Sequence, residues 1–349
     1  MAGKSTAGNF FEDFTLGQAI THAVPRTLTT GDAALYTALY APRFAVQSSA
    51  DFAKALGYRE APIDDMLVFH IVFGKSVPDI SLNAVANLGY AECRFLKPVF
   101  PGDTLAATSH VIGLRENSNR KSGIVYVRTS GRNQHGCTVL DYVRWVMVRK
   151  RDAASQASEN SVPELAPKVE PGALGRAVPP LHRAAYEYAL AGASHGWGDY
   201  AVGERIDHVD GVTIEEAEHQ MATRLYQNTA RVHFNQHGAG EGGRRLVYGG
   251  HIISLARALS FNGLANAFHV SAINAGRHVA PAHAGDTVYA WSEVLETTEI
   301  PGRDDIGALR LRTVAVKNRS AASFPLMGDG NSYEEGVILD LDYWVTLPR

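Results

Sequence analysis

Two histidines spaced four residues apart are the first candidates for chemistry in this chain. They are His233 and His237, in the segment YQNTARVHFNQH of residues 226–237, and Asn228 precedes the first of them by five residues. This spacing is typical of two metal ligands on a helix, but the glutamate of an HExxH motif is absent. Imidazole is also the side chain best suited to proton transfer near neutral pH. The segment therefore predicts an acid–base site, with no metal.

The composition is that of a soluble globular protein, with 349 residues, 45% of them hydrophobic and 20% charged. A net charge of −3 and the lack of basic runs argue against a nucleic acid or a membrane surface as partner. No apolar segment resembles a secretory signal or is long enough to span a bilayer. Two cysteines, Cys93 and Cys137, are too few for a disulfide framework or a four-ligand zinc site. We expect a cytoplasmic protein without a metal or redox cofactor.

The chain contains a duplication. Three pairs of similar segments recur in the same order, 183 to 186 residues apart. They begin at Arg94 and Arg277, at Glu12 and Gly198, and at Leu39 and Leu225. A nearly constant offset indicates that a whole domain was duplicated. Asp103 and Asp286 recur in the shared Gly-Asp-Thr turns, so we expect both to stabilise turns.

Both copies predict the same order of secondary structure. Helical segments come first, and the longest begins near Asp64 in one copy and near His251 in the other. Alternating strands follow, beginning with RFLKPV at Arg94 and RHVAP at Arg277. A long apolar helix followed by an antiparallel meander indicates a sheet wrapped around a helix, the hotdog arrangement. We therefore predict an α+β double hotdog, in which two tandem hotdog domains join their sheets and enclose a cleft.

The predicted boundaries follow from composition. Residues 151–180 contain five prolines and many small residues, which argues against a packed element. We assign residues 1–150 to the N-terminal hotdog domain, 151–183 to a linker and 184–349 to the C-terminal hotdog domain.

Alignment of the halves through the shared Leu-Tyr shows which one retains titratable groups. Pro42 of the first half corresponds to Asn228 of the second, and Gln47 corresponds to His233. The first half has no titratable group at either position. We therefore expect the chemistry in the C-terminal half, and a degenerate, shape-giving site in the N-terminal half.

The motif resembles that of the MaoC-like hydratases, which act on enoyl thioesters. That family has Asp, a spacer, Asn, Pro, an apolar residue and then His, and its Asp and His hold the reacting water. Val232 and His233 match this pattern. Asn228 replaces the Asp, and Ala230 and Arg231 replace the Asn and Pro, so the family's catalytic pair cannot be carried over whole.

Longer stretches resemble the mesaconyl-CoA hydratases, also called β-methylmalyl-CoA dehydratases, within this class. These stretches are NFFEDFTLG, TLTTGDAALYTALY, DDMLVFHIVFGKSVPDISLNAVANLGYAE and YQNTARVHFN. The resemblance implies reversible dehydration of β-methylmalyl-CoA to mesaconyl-CoA in a pathway of acyl-CoA carbon assimilation, such as the ethylmalonyl-CoA pathway. The CoA thioester is then the substrate, with no separate cofactor. We also expect a homo-oligomer.

This chemistry assigns roles to the residues around the motif. His233 transfers the proton, and the amide of Asn228 holds the water. The backbone N–H of Gly250, beside Gly249 and His251 at the start of the long helix, is the candidate donor to the enolate oxygen.

Two further roles concern charged groups. Arg231 could bind the second carboxylate of the substrate through its guanidinium. A second proton-transfer group could come from the other half, where the carboxylates of Asp64 and Asp65 are the candidates.

Several alternatives remain open at this stage. His233 could be a structural histidine, Asn228 a loop cap and Arg231 a solvated surface charge. Other functions are a (3R)-type enoyl-CoA hydratase for different acyl chains, a hotdog thioesterase, and an acyl-CoA binder without activity.

Overall fold

The computed structural model describes residues 4–155, 159–237, 243–328, 330 and 332–349. The first half contains these elements, in chain order: β1 (Ala19–Thr27), α1 (Thr30–Tyr40), α2 (Ala45–Ser48), α3 (Ala50–Ala55), α4 (Asp65–Ser76), β2 (Ala84–Phe95), β3 (Thr104–Glu116), β4 (Ser122–Arg132) and β5 (Thr138–Arg149). One π-helical turn, Val77–Ser81, extends α4.

The second half contains the corresponding elements: α5 (Tyr188–Ala191), β6 (Arg205–Thr213), α6 (Glu216–Leu225), α7 (Arg231–Phe234), α8 (Gly249–Leu259), α9 (Phe261–Leu264), β7 (His269–His278), β8 (Thr287–Glu299), β9 (Ile306–Lys317) and β10 (Val337–Pro348). The long helices α4 and α8 and the last three strands of each half lie where the sequence predicts them, within a few residues.

All ten strands form one antiparallel sheet in the order β1-β3-β4-β5-β2-β7-β10-β9-β8-β6. The two halves have the same internal strand order and meet at β2 and β7. Cys93 pairs with Ile273 and Arg94 with Ala272 at this junction. One continuous sheet therefore joins the two copies, as the double-hotdog prediction requires.

The long helices α4 and α8 lie against the inner face of this sheet. α4 contacts β1, β3, β4 and β5, and α8 contacts β6, β8, β9 and β10. Every residue of α4 from Met66 to Ser76 is buried. A helix that is apolar on all sides must be enclosed, and each large side chain that it buries contributes about 1.5–3 kcal/mol.

Gly74 allows a close approach of the two halves. A Cβ atom at this position of α4 would lie 1.9 Å from the backbone oxygen of Tyr226. Only a residue without a side chain leaves room for that carbonyl. Substitution of Gly74 by alanine would therefore force the halves apart near the candidate site.

The two central strands begin earlier than predicted. β2 begins at Ala84 and β7 at His269, so the segments RFLKPV and RHVAP contain only the ends of these strands. The preceding stretches AVANLGYAEC and HVSAINAG are rich in Ala, Gly and Asn, which have low β propensity. Pairing with both neighbours in the middle of the sheet overrides that local preference.

The segment between the halves is packed, although it has no long helix or strand. Val169, Leu174 and Leu181 are buried in a cluster with Phe268 and Trp344. Its described residues therefore form part of the core between the two halves, in contrast to the unpacked linker expected from composition.

Polar contacts repeat between the halves. Nε2 of His22 lies 2.7 Å from Oγ of Ser109. In the equivalent place of the second half, Nε2 of His208 lies 2.8 Å from Oγ of Ser292. The carboxylates of Asp103 and Asp286 each accept a backbone N–H three residues upstream, at 2.9 Å. The turn role predicted for these two aspartates is confirmed.

Candidate active site

A cavity of about 330 Å³ lies between the two halves. The first half contributes the π-helical turn together with residues of β2 and β5. The second half contributes the loop that bears the histidine motif, the start of α8 and the end of β7. Both halves therefore build the site, and the histidine motif of the second half forms one wall of it.

His233 lines this cavity and is 9% exposed. Its Nδ1 lies 2.7 Å from the backbone oxygen of Leu246. Because a carbonyl can only accept, Nδ1 carries the proton and Nε2 of the neutral ring keeps its lone pair. Burial lowers the pKa of His233 to about 4, although the bond to Leu246 acts in the opposite direction. The ring is therefore a neutral proton acceptor at pH 7.

Asn228 also lines the cavity and is 1% exposed. Its Oδ1 accepts the backbone N–H of Ala230 at 3.1 Å, which stabilises the loop that leads to α7. The loop-capping role and the position in the cavity are thus both present. The amide nitrogen of Asn228 has no hydrogen-bond partner among the described residues and is available to hold water.

Helix α8 begins at the cavity. Gly249 lines it, and the N-cap residue Tyr248 packs its ring 5.5 Å from the ring of His233, centroid to centroid. Within the described chain, no side chain caps this helix start. Its first N–H groups and the positive end of the helix dipole are therefore available to an oxyanion.

The next two residues of α8 lie farther inside. A Cβ atom on Gly250 would lie 2.5 Å from the ring of His70, so close packing explains this glycine. His251 is buried, and its Nδ1 lies 2.8 Å from the hydroxyl of Tyr40. Neither Gly250 nor His251 is among the cavity-lining residues, so His251 belongs to the core, and Gly249 is the glycine of the helix start that reaches the cavity wall.

Arg231 lines the cavity from an exposed position on α7. Its guanidinium donates to Oδ1 of Asn83 at 2.8 Å and to the backbone oxygen of Ala7 at 3.0 Å. Among the described residues it has no carboxylate partner. The positive charge is therefore uncompensated beside the cavity, while its hydrogen bonds tie α7 to the first half.

The carboxylates of Asp64 and Asp65 are not brought to His233. Asp65 bonds to Nδ1 of His269 at 2.9 Å. Asp64 lines a separate space of about 20 Å³, together with Pro42 and Gln47. This small space lies where the first half would have its own version of the site. The Gln47 amide donates to the backbone oxygen of Phe268 at 2.8 Å and helps to close it.

The sequence interpretation missed several polar residues of the cavity wall. Arg144 of β5 is fully buried; it donates to Oγ of Ser76 at 2.8 Å, and its Nε has no hydrogen-bond partner. In the part of the chain that the structure describes, it forms no ion pair. Asn87 of β2 also lines the cavity, and both of its amide atoms are buried without partners. His278, discussed below, is a second imidazole in the same wall.

Three other features bear on the kind of protein. No cluster of three or more His, Cys, Asp and Glu side chains with metal-binding geometry occurs in the described ranges. His237, the second histidine of the motif, is exposed and outside the cavity wall. No described helix is both long enough and apolar enough to cross a membrane.

Comparison with solved structures identifies the class. The chain superposes on a structure from Chloroflexus aurantiacus, described as a putative MaoC domain protein dehydratase, with a TM-score of 0.97 and 61% identity over 100% of this chain and 99% of that one. A Mycobacterium tuberculosis protein described as having a double hotdog fold superposes with a TM-score of 0.74 and 25% identity, over 98% of this chain and 99% of that one. Fold and cavity together define a MaoC-like double-hotdog protein.

Sequence comparison narrows the class further. The family model described as mesaconyl-CoA hydratase matches residues 2–325. The β-methylmalyl-CoA dehydratase of Chloroflexus aurantiacus is 62% identical over 100% of this chain and 99% of its own length. The mesaconyl-CoA hydratase of Cereibacter sphaeroides is 60% identical over 99% of this chain and 100% of its own length. The chain belongs to the mesaconyl-CoA hydratase family.

Proposed function

We propose that this protein catalyses the reversible dehydration of β-methylmalyl-CoA to mesaconyl-CoA. Its family membership supports this reaction. The observation that carries the proposal is His233, whose Nε2 has no hydrogen-bond partner among the described residues and lies beside a cavity built by both halves. A neutral imidazole in a cavity of this size is suited to proton transfer with a small acyl group.

The reaction needs a base, an oxyanion site and a group that returns the proton. Nε2 of His233 takes the proton from the carbon next to the thioester carbonyl. Electron density then moves onto the thioester oxygen, which the N–H groups at the start of α8, where Gly249 lines the cavity, stabilise. The hydroxyl leaves with the proton returned from His233, and one water molecule is released. Proton and hydroxyl both leave as water, so the reaction as written requires no redox cofactor.

The charges around the cavity favour a dianionic acyl group. β-Methylmalyl-CoA carries a carboxylate on the carbon that bears the hydroxyl. Arg231 is exposed at the cavity and can contact this carboxylate directly, whereas Arg144 is fully covered and acts through its electric field. Since neither arginine has a carboxylate partner among the described residues, an anionic ligand would compensate charge that is otherwise unbalanced.

The direct test is to incubate the purified protein with mesaconyl-CoA and to follow loss of the conjugated-thioester absorbance. A parallel reaction with crotonyl-CoA, which lacks the second carboxylate, tests the rival hydratase function. A thiol dye in both reactions tests the thioesterase function, which alone releases free CoA. The proposal expects hydration of mesaconyl-CoA with no thiol release. Faster turnover of crotonyl-CoA, or release of thiol, would refute it.

A further inference from the structure

A second histidine, His278, lines the cavity together with His233. It is the last residue of β7 and is partly exposed. The duplication offset places Phe95 at the equivalent position of the first half. His278 therefore resembles His233, since an imidazole in the second half corresponds to a side chain in the first half that cannot transfer a proton.

The hydrogen bonds of His278 fix the position of its proton. Its Nε2 lies 3.2 Å from the hydroxyl of Tyr90. Burial raises the pKa of Tyr90, so the phenol keeps its proton, and within the described chain Nε2 is its one hydrogen-bond partner. Tyr90 therefore donates to Nε2, and the neutral ring of His278 carries its own proton on Nδ1.

The ring lies against the start of α8. A Cβ atom on Gly249 would lie 2.3 Å from Cε1 of His278 and 2.6 Å from each ring nitrogen. Glycine at this position thus makes room for the imidazole beside the N–H groups of the helix start. Nδ1 of His278 has no hydrogen-bond partner among the described residues, and the ring is partly exposed. Its N–H is therefore available to a ligand in the cavity.

The two cavity histidines present opposite hydrogen-bonding capacity. His233 offers a lone pair on Nε2, because its Nδ1–H is used by Leu246. His278 offers an N–H on Nδ1, because its Nε2 is used by Tyr90. A water molecule or hydroxyl group between them would donate to the first ring and accept from the second.

We propose that His278 is a catalytic residue whose Nδ1–H holds the reacting hydroxyl, in place of the carboxylate that Asn228 cannot supply. In dehydration, Nε2 of His233 takes the proton from the carbon next to the thioester. The carbon–oxygen bond then breaks, and its electron pair goes to the oxygen, which His278 stabilises by hydrogen bonding. The proton on His233 passes to this oxygen and water leaves. His278 keeps its proton throughout, so the step balances.

This role rests on the proposed function, and the experiment separates the two. β-Methylmalyl-CoA in D₂O reports two events: exchange of the proton next to the thioester, and loss of the hydroxyl as mesaconyl-CoA forms. His278→Phe installs the residue of the first half. It should lower dehydration by about 10²–10³-fold, as loss of one preorganised donor does. Proton exchange depends on His233, so the fold-decrease in its rate should be at least ten times smaller than the fold-decrease in the dehydration rate.

Two further variants make the result decisive. His278→Gln keeps an N–H donor and should restore part of the dehydration rate. His208→Gln is the matched control, because the pKa of His208, like that of His278, is lowered to about 4, but His208 lies outside the cavity wall. It should change the melting temperature without changing the ratio of exchange to dehydration.

The outcomes distinguish the claims. If the wild type dehydrates the substrate, two results in His278→Phe would overturn the assigned role. One is an equal fall in the rates of exchange and dehydration, and the other is an undiminished rate of dehydration. Failure of the wild type to dehydrate β-methylmalyl-CoA at all would instead overturn the proposed function.

Discussion

Tyr226 donates its hydroxyl proton to the hydroxyl oxygen of Tyr40 across 2.7 Å, and the two are equivalent residues of the duplicated halves. Equivalent residues can meet only near the axis that relates the two copies. Tyr40 in turn lies 2.8 Å from Nδ1 of His251. A buried hydrogen-bond network thus joins the copies next to the two long helices, behind the candidate site.

This network makes the two tyrosines unequal. Tyr40→Phe leaves Nδ1 of His251 without a partner among the described residues and leaves the hydroxyl of Tyr226 with only Oγ of Ser254, 3.4 Å away, so we expect a loss of about 1–3 kcal/mol in the free energy of unfolding. Tyr226→Phe removes the donor to Tyr40 and a 3.4 Å contact with Oγ of Ser254 but leaves the bond between Tyr40 and His251, so it should cost about 1 kcal/mol. Denaturant unfolding of both variants and of the double variant measures this. Equal losses that add in the double variant would contradict the network.

Buried histidines should make stability depend on pH. Burial lowers the pKa of five of them from 6.5 to about 3 or 4: His70, His208, His233, His251 and His278. Between pH 6.5 and 4 the unfolded chain binds more protons than the folded one, so stability is full above pH 6.5 and is lost as the pH falls through this window. Asp64, whose pKa burial raises to about 6, acts in the opposite direction but is one group against five.

We therefore expect the melting temperature to decrease from pH 7 to pH 5. His251→Gln removes one of the proton-binding sites and should make this decrease shallower, whatever its effect at pH 7. A melting temperature that stays constant over the range, or a slope that the variant leaves unaltered, would show that these rings are not buried in the neutral form.

The catalytic rate should stay high at a more acidic pH than is usual when a histidine acts as the base. Since the pKa of His233 is lowered to about 4, its Nε2 remains a proton acceptor well below the usual range of histidine. The value of kcat/KM for mesaconyl-CoA should therefore be nearly constant from pH 7 to pH 5.5, in short assays during which the protein stays folded. A decline centred on pH 6.5 would mean that the ring titrates as an exposed imidazole does.

Arg231 should contribute to selection of the acyl group. A hydrogen bond to a charged partner contributes about 1.5–3 kcal/mol, so Arg231→Ala should lower kcat/KM for mesaconyl-CoA about 10- to 100-fold more than for crotonyl-CoA. Arg183→Ala is the control, because Arg183 is also exposed and donates to a backbone oxygen, that of Asp304, outside the cavity wall. Equal losses on both substrates in Arg231→Ala would assign the carboxylate to another group.

The duplication explains how much of the fold was predictable. Two copies of each pattern reinforce each other, so the long helices α4 and α8 and the last three strands of each half agree with the sequence. The start of β2 at Ala84 and of β7 at His269 could not be found in this way, because both stretches have low β propensity and depend on pairing at the centre of the sheet. The packing of the segment around Leu174 likewise depends on its partners in the other elements.

The site was predictable to a different degree. Asn228, Arg231 and His233 share one loop and could be found by comparing the halves, and all three line the cavity. The same comparison would have found His278, since Phe95 takes its place in the first half. Arg144 left no such signal, because its role depends on which strand of the first half faces the second.

The central claim is that His233 transfers the proton in the cavity between the halves. Its most direct test is the rate of mesaconyl-CoA hydration by the wild type and by His233→Ala, followed by absorbance, with the melting temperatures of both measured alongside. We predict that the variant remains folded and loses about 10²–10⁴-fold in kcat, the range typical of a general base. A folded variant that hydrates mesaconyl-CoA at the wild-type rate would contradict the account.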